Sequence, residues 1–121
     1  MKNPLLILVM LLVFATSCQE NENPRLACGV ENPAVNLTWL SELIDELEGT
    51  AFDRNYSYIN QVNYQGQVLF VQANCCPNCN SVPIYYDCEG NVFEDENLVF
   101  SELTTLALIW KSESSLCTVG T

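Results

Sequence analysis

Seven cysteines in 121 residues constrain this chain more than any other feature. Cys18 stands apart, directly after an apolar leader; the other six are Cys28, Cys75, Cys76, Cys79, Cys88 and Cys117. An even number of cysteines in a small exported domain is the pattern of a disulfide framework, here three bridges. Spacing leaves the connectivity open. Neighbouring Cys75 and Cys76 are expected to bond different partners, because successive side chains of an extended strand point to opposite faces. Each bridge contributes about 2 to 4 kcal/mol, most for pairings that join distant segments, such as those around Cys28 and Cys117.

Composition removes whole classes of function. There is no histidine, so Ser-His and Cys-His nucleophiles, imidazole metal ligands and a histidine general base are all excluded. Fifteen acids against four bases give a formal charge of -11, and a nucleic-acid partner would need the opposite balance. The length suits one domain with one small core.

The N-terminus carries an address. After Met1 and Lys2, residues Leu5 to Phe14 form an unbroken apolar run that ends in Ala15, Thr16, Ser17 and Cys18. A membrane-spanning helix needs about 20 apolar residues, so the run reads as a cleaved signal peptide over residues 1–17. The small residues before Cys18 resemble the lipobox of bacterial lipoproteins, with Ala15 where leucine is usual. That resemblance implies that Cys18 becomes the mature N-terminus and is lipidated, and two or three acyl chains anchor stably. Residues 18–27, with Glu20 and Glu22, then form an acidic tether, and residues 28–121 a single domain.

Cys76-Pro77-Asn78-Cys79 raises two chemical alternatives. A redox dithiol at Cys76 and Cys79 wants the motif to open a helix, whose N-terminus lowers the thiol pKa, but Pro83 and the following Ile84-Tyr85-Tyr86 point to a strand. Zinc would need Cys75, Cys76, Cys79 and Cys88 as thiolates, which an oxidising compartment converts to disulfides. Neither a metal nor a cofactor is therefore expected. Residues 76–83 could also form the rigid loop of a small protease inhibitor.

In the body, Leu37, Trp39, Leu40, Leu43, Ile44 and Leu47 share one face at helical spacing, predicting an amphipathic helix over 37–48 with Asn36 and Gly49 as its caps. Glu42, Asp45, Glu46 and Glu48 lie on the opposite face. Alternation at Tyr56, Tyr58, Val62 and Tyr64, with Ser57, Gln61 and Asn63 outward, predicts a half-buried strand. Gln65-Gly66 turns it into a second strand, Gln67 to Ala73, whose Val68-Leu69-Phe70-Val71 run is apolar on both faces and so central. Residues 82–87 give a third strand, reversing through Asp87-Cys88-Glu89-Gly90-Asn91 into Val92 and Phe93. From Val99 to Trp110 a short helix followed by a strand is expected. The fold class is α+β: one amphipathic helix packed on a small antiparallel β-meander of three to four strands, stapled by disulfides.

Calcium would draw on Asp87, Glu89, Glu94, Asp95 and Glu96, but Gly90 is misplaced for a calcium loop and a plain turn accounts for the pattern better. No carboxylate has the apolar setting that acid catalysis needs.

Cys28-Gly29-Val30-Glu31-Asn32-Pro33 leading to Leu37-Thr38-Trp39-Leu40, together with Tyr85-Tyr86-Asp87-Cys88-Glu89-Gly90-Asn91, resembles small uncharacterised lipoproteins of Bacteroidota. The resemblance implies an outer-membrane address for a protein held by lipid on Cys18, facing the surface or the periplasm; an envelope protein is the partner such an anchored domain is expected to serve. It brings no activity. A non-enzymatic binding or accessory domain is the expected role.

Overall fold

The computed structural model describes residues 26–119. The expected leader 1–17, the expected lipidation site Cys18 and the part of the expected tether up to residue 25 lie outside the described residues. Leu26–Ala27 (β1) pairs with Val30–Glu31 (β2) in a short hairpin, and Ala27 is buried in the core. The folded part thus begins inside the stretch expected to be tether.

Pro33–Asn36 forms a single helical turn (α1), with Pro33 in the first position, where its missing N–H costs nothing. Asn36 was expected to cap the next helix. Instead it closes α1, and its side-chain amide donates to the Glu31 carbonyl. Leu37 is extended and starts Thr38–Glu48 (α2). The apolar stripe packs as the spacing predicts: Leu40 and Leu47 are buried, with Trp39, Leu43 and Ile44 around them.

A further helix, Ala51–Tyr56 (α3), follows directly, where the expected strand was to begin at Tyr56. Thr50 explains it. Its Oγ1 accepts the Asp53 backbone N–H at 3.1 Å, and its hydroxyl donates to Asp53 Oδ2 at 2.6 Å, capping a new N-terminus. The Arg54 guanidinium reaches back 2.6 Å to the Glu48 carbonyl at the end of α2.

Ser57–Tyr64 (β3) and Gln67–Asn74 (β4) form a hairpin in continuous register. Gln65 and Gly66 both take positive φ, the backbone that a two-residue turn matched to strand twist demands. Ile84–Tyr86 (β5) adds to β4, completing a three-stranded meander. The fourth strand, Leu103–Lys111 (β6), does not extend it. It crosses back to pair with β3, giving the antiparallel order β5-β4-β3-β6, a Greek-key arrangement. The expected helix before it shrinks to a 3-10 turn, Phe100–Glu102, and the expected strand at Val92 and Phe93 to one bridge, Tyr86 with Val92.

The crossover changes the sheet's environment, because it covers the face that α2 leaves bare. Ile59 and Phe70 pack under α2, while Val62, Tyr64 and Leu69 pack under Phe93, Leu98 and Leu103. Strand β3 is therefore buried on both sides. Ser57 and Gln61, expected to face outward, share the α2-side face with Ile59 and are each only 3% exposed.

Candidate functional site

All six cysteines of the described domain pair within the chain: Cys28–Cys88, Cys75–Cys117 and Cys76–Cys79. Neighbouring Cys75 and Cys76 do take different partners. Cys28–Cys88 ties the β1–β2 hairpin to the turn after β5. The Trp39 indole N–H donates to the Cys88 carbonyl at 2.9 Å, and its ring contacts Phe70 and Tyr86. Cys75–Cys117 fastens the end of β4 to the C-terminal segment, where Cys117 is 6% exposed and the Leu116 N–H donates to the Asn55 carbonyl. These two bridges span 60 and 42 residues.

Cys76–Cys79 is different in kind. It spans three residues within the loop between β4 and β5, and Cys79 is exposed. The strand stops at Asn74, the Asn74 side chain accepts the Cys76 N–H, and the Cys79 N–H reaches the Cys76 carbonyl at 3.3 Å. No helix follows. The bridge therefore pinches a turn in an exposed segment and lacks the helix dipole that would activate a thiol.

Beside this loop lies a cleft of about 210 Å³. Its floor is the α2-side face of the sheet at one end, with Ser57, Gln72 and Asn74; Phe52 and Asp53 of α3 form one wall, and Ser81 to Ile84 the other. Polar groups in it are partly spent. Asp53 accepts from Thr50 and Ser57, and Gln72 Oε1 accepts from the Tyr86 hydroxyl at 3.2 Å. Val82, 83% exposed, and Phe52, 45% exposed, offer apolar contact at its rim. The cleft depends on α3, which the sequence reading missed. The available signal was Thr50-Ala51-Phe52-Asp53, a capping pattern of threonine followed three residues later by an acid.

The acids sort into distinct roles. Asp87 Oδ1 accepts backbone N–H groups from Glu89 at 2.9 Å and Asn91 at 3.0 Å, so its carboxylate shapes the turn. Asp95 takes the Asn97 N–H at 2.8 Å and the Tyr64 hydroxyl at 3.4 Å. Glu94 and Glu96 are exposed. Glu48 leaves the expected acidic helix face: it accepts from Trp110 Nε1 at 3.0 Å and from the Ser112 hydroxyl at 3.2 Å. Glu42, Asp45 and Glu46 remain on that face. Among the described residues no group of three or more acids and cysteines is placed to hold a metal, and Cys88, bonded to Cys28, does not join Cys75, Cys76 and Cys79. Arg54 and Lys111, the bases of the described part, direct their charges at backbone carbonyls.

No protein-family model, curated protein or solved structure matches this chain.

Proposed function

We propose that this is a lipid-anchored protein of the bacterial cell envelope, of the kind found in Bacteroidota, acting as a non-enzymatic binding or accessory domain. The supporting observation is the complete pairing of the six domain cysteines, the state of an extracytoplasmic, oxidising compartment. With no histidine in the chain and these thiols consumed, the domain keeps neither a free cysteine nor an imidazole for nucleophilic or general-base work. Binding is assigned to the cleft and the pinched loop, where apolar side chains stand in solvent beside a rigid turn.

Mass spectrometry of the mature N-terminus tests the anchor: Cys18 carrying acyl chains is expected, and an unmodified Cys18 overturns it. A photo-crosslinker at Val82 tests the surface. In intact cells it should trap a discrete envelope partner that a crosslinker at Glu113 does not, and equal labelling from both positions overturns the assignment.

The exposure of Val82 on a disulfide-pinned loop favours one second reading, a protease-inhibitor-like domain. A panel of proteases left uninhibited dismisses it.

A further inference from the structure

The three disulfides do unequal work. Cys28–Cys88 and Cys75–Cys117 close loops of 60 and 42 residues, whereas Cys76–Cys79 closes one of three; loop-closure entropy makes the short bridge's contribution to the folding equilibrium smaller by a factor of about 50 to 90. Access runs the other way. Cys79 is exposed, whereas Cys117 is buried and Cys28 packs against the core cluster. The bridge that matters least to the fold is also the one with an exposed sulfur-bearing residue, Cys79, for an external thiolate to attack.

It is coupled to the cleft. Two residues after Cys79 the chain becomes the wall formed by Ser81, Val82, Pro83 and Ile84. Between Cys76 and β5 this segment has no regular secondary structure, so the covalent pinch is its main local restraint.

We propose that Cys76–Cys79 is a thiol-disulfide exchange site, opened by an external dithiol while the fold and the other two bridges persist, and that opening loosens the cleft wall. A thiolate of the dithiol attacks Sγ of Cys79, forming a mixed disulfide and releasing Cys76 as a thiolate that takes up a proton. The second thiol of the reagent then attacks the reagent's own sulfur in that mixed disulfide. Cys79 leaves as a thiolate and is protonated, and the reagent departs as its disulfide. Two electrons and two protons pass to the protein. The inference deepens the binding assignment to the cleft and stands whether or not Cys18 is lipidated.

The test uses the disulfide-intact protein recovered from the envelope, titrated with dithiothreitol, quenched with an alkylating reagent and mapped by mass spectrometry. Cys76 and Cys79 should be labelled together at dithiol concentrations at least about tenfold below those that label the other four, following their greater access and smaller structural role. Near-ultraviolet circular dichroism should stay unchanged at that point, and amide exchange should rise over residues 77–84 but not in α2 or β3. Labelling of all three bridges in parallel overturns the proposal, as does loss of tertiary signal with the first bridge. So does reoxidation to a Cys76–Cys117 mispair. The double variant Cys76→Ser/Cys79→Ser should fold with its two remaining bridges formed and show the faster 77–84 exchange without reductant; failure to fold overturns the proposal independently.

Discussion

Gly90 lies against the indole of Trp39 so closely that a Cβ there would sit 2.7 Å from Cγ and Cδ2 of the ring. Its φ of +84° is also one that side chains rarely adopt. The contact presses the disulfide-bearing turn onto α2, where the indole N–H holds the Cys88 carbonyl. Gly90→Ala should therefore combine backbone strain with overpacking and destabilise by about 2 to 4 kcal/mol. Urea unfolding followed by tryptophan fluorescence measures this, and a loss below about 0.5 kcal/mol would show that the turn can retreat from the ring.

Glu48 spans 62 residues to bond Trp110 and 64 to bond Ser112. A half-buried carboxylate with two donors is a charge-assisted junction between α2 and β6. Glu48→Ala should cost about 1.5 to 3 kcal/mol by leaving the indole N–H and the hydroxyl unpaired. In a double-mutant cycle with Trp110→Phe the two losses should be markedly non-additive. Additivity would mean that the indole gains nothing from the carboxylate.

How much of this was legible beforehand follows from where each element gets its stability. The α2 stripe and the Gln65-Gly66 hairpin are local patterns, periodicity in one and turn chemistry in the other, and both stand as read. Glu48 shows the limit. On a helical wheel it belongs with Glu42, Asp45 and Glu46, and only the return of β6 beside β3 brings Trp110 to it. That same return makes β3 an interior strand with both faces covered, α2 over the Ile59 face that also carries Ser57 and Gln61 and the segment Phe93 to Leu103 over the Val62 face, and neither cover is written in the local alternation. Asn36 is a sound local signal placed on the wrong boundary, since it ends the preceding turn, whereas Gly49 caps the C-terminus of α2 as its position predicts. The cleft was invisible for a related reason, since Phe52 and Asp53 become a wall only once Thr50 restarts the helix. Disulfide pairing likewise follows from topology, which spacing does not encode.

The bridges should separate cleanly in stability measurements. Loop-closure entropy assigns about 4 kcal/mol each to Cys28–Cys88 and Cys75–Cys117 and about 2 kcal/mol at most to Cys76–Cys79. Paired serine replacements at Cys28 and Cys88 should lower the unfolding free energy by roughly twice the amount seen for Cys76 and Cys79. Equal losses would show that the short bridge supports the core.

Gln61 is 3% exposed, and its side-chain Oε1 has no hydrogen-bond partner among the described residues. An unpaired buried carbonyl carries its desolvation cost without return. Gln61→Leu, close in volume and free of polar atoms, should raise stability by about 1 kcal/mol. Chemical denaturation reads the change as a higher midpoint at constant slope, and a lower midpoint would place a partner on the amide.

Alkaline pH should loosen the fold through three tyrosines. Burial raises the hydroxyl pKa of Tyr64, Tyr85 and Tyr86 above the ordinary value of 10.0. At Tyr64 a backbone hydrogen bond at Val99 partly offsets this, while Asp95 and Glu102 add to it; Tyr58 adds at Tyr85 and Glu46 at Tyr86. The folded state thus holds these protons more tightly than the unfolded chain. Their contribution to stability is fully present below the unfolded value near about pH 10 and is lost as pH rises through the folded values. Ionised Tyr64 would also face the Asp95 carboxylate that its hydroxyl now donates to. Unfolding free energies measured in urea from pH 8 to pH 11 should fall above about pH 10, in step with tyrosinate absorbance. Tyr64→Phe should flatten part of that decline, because it removes the group that would have to ionise beside two acids, and an unchanged slope in this variant would assign the alkaline loss elsewhere.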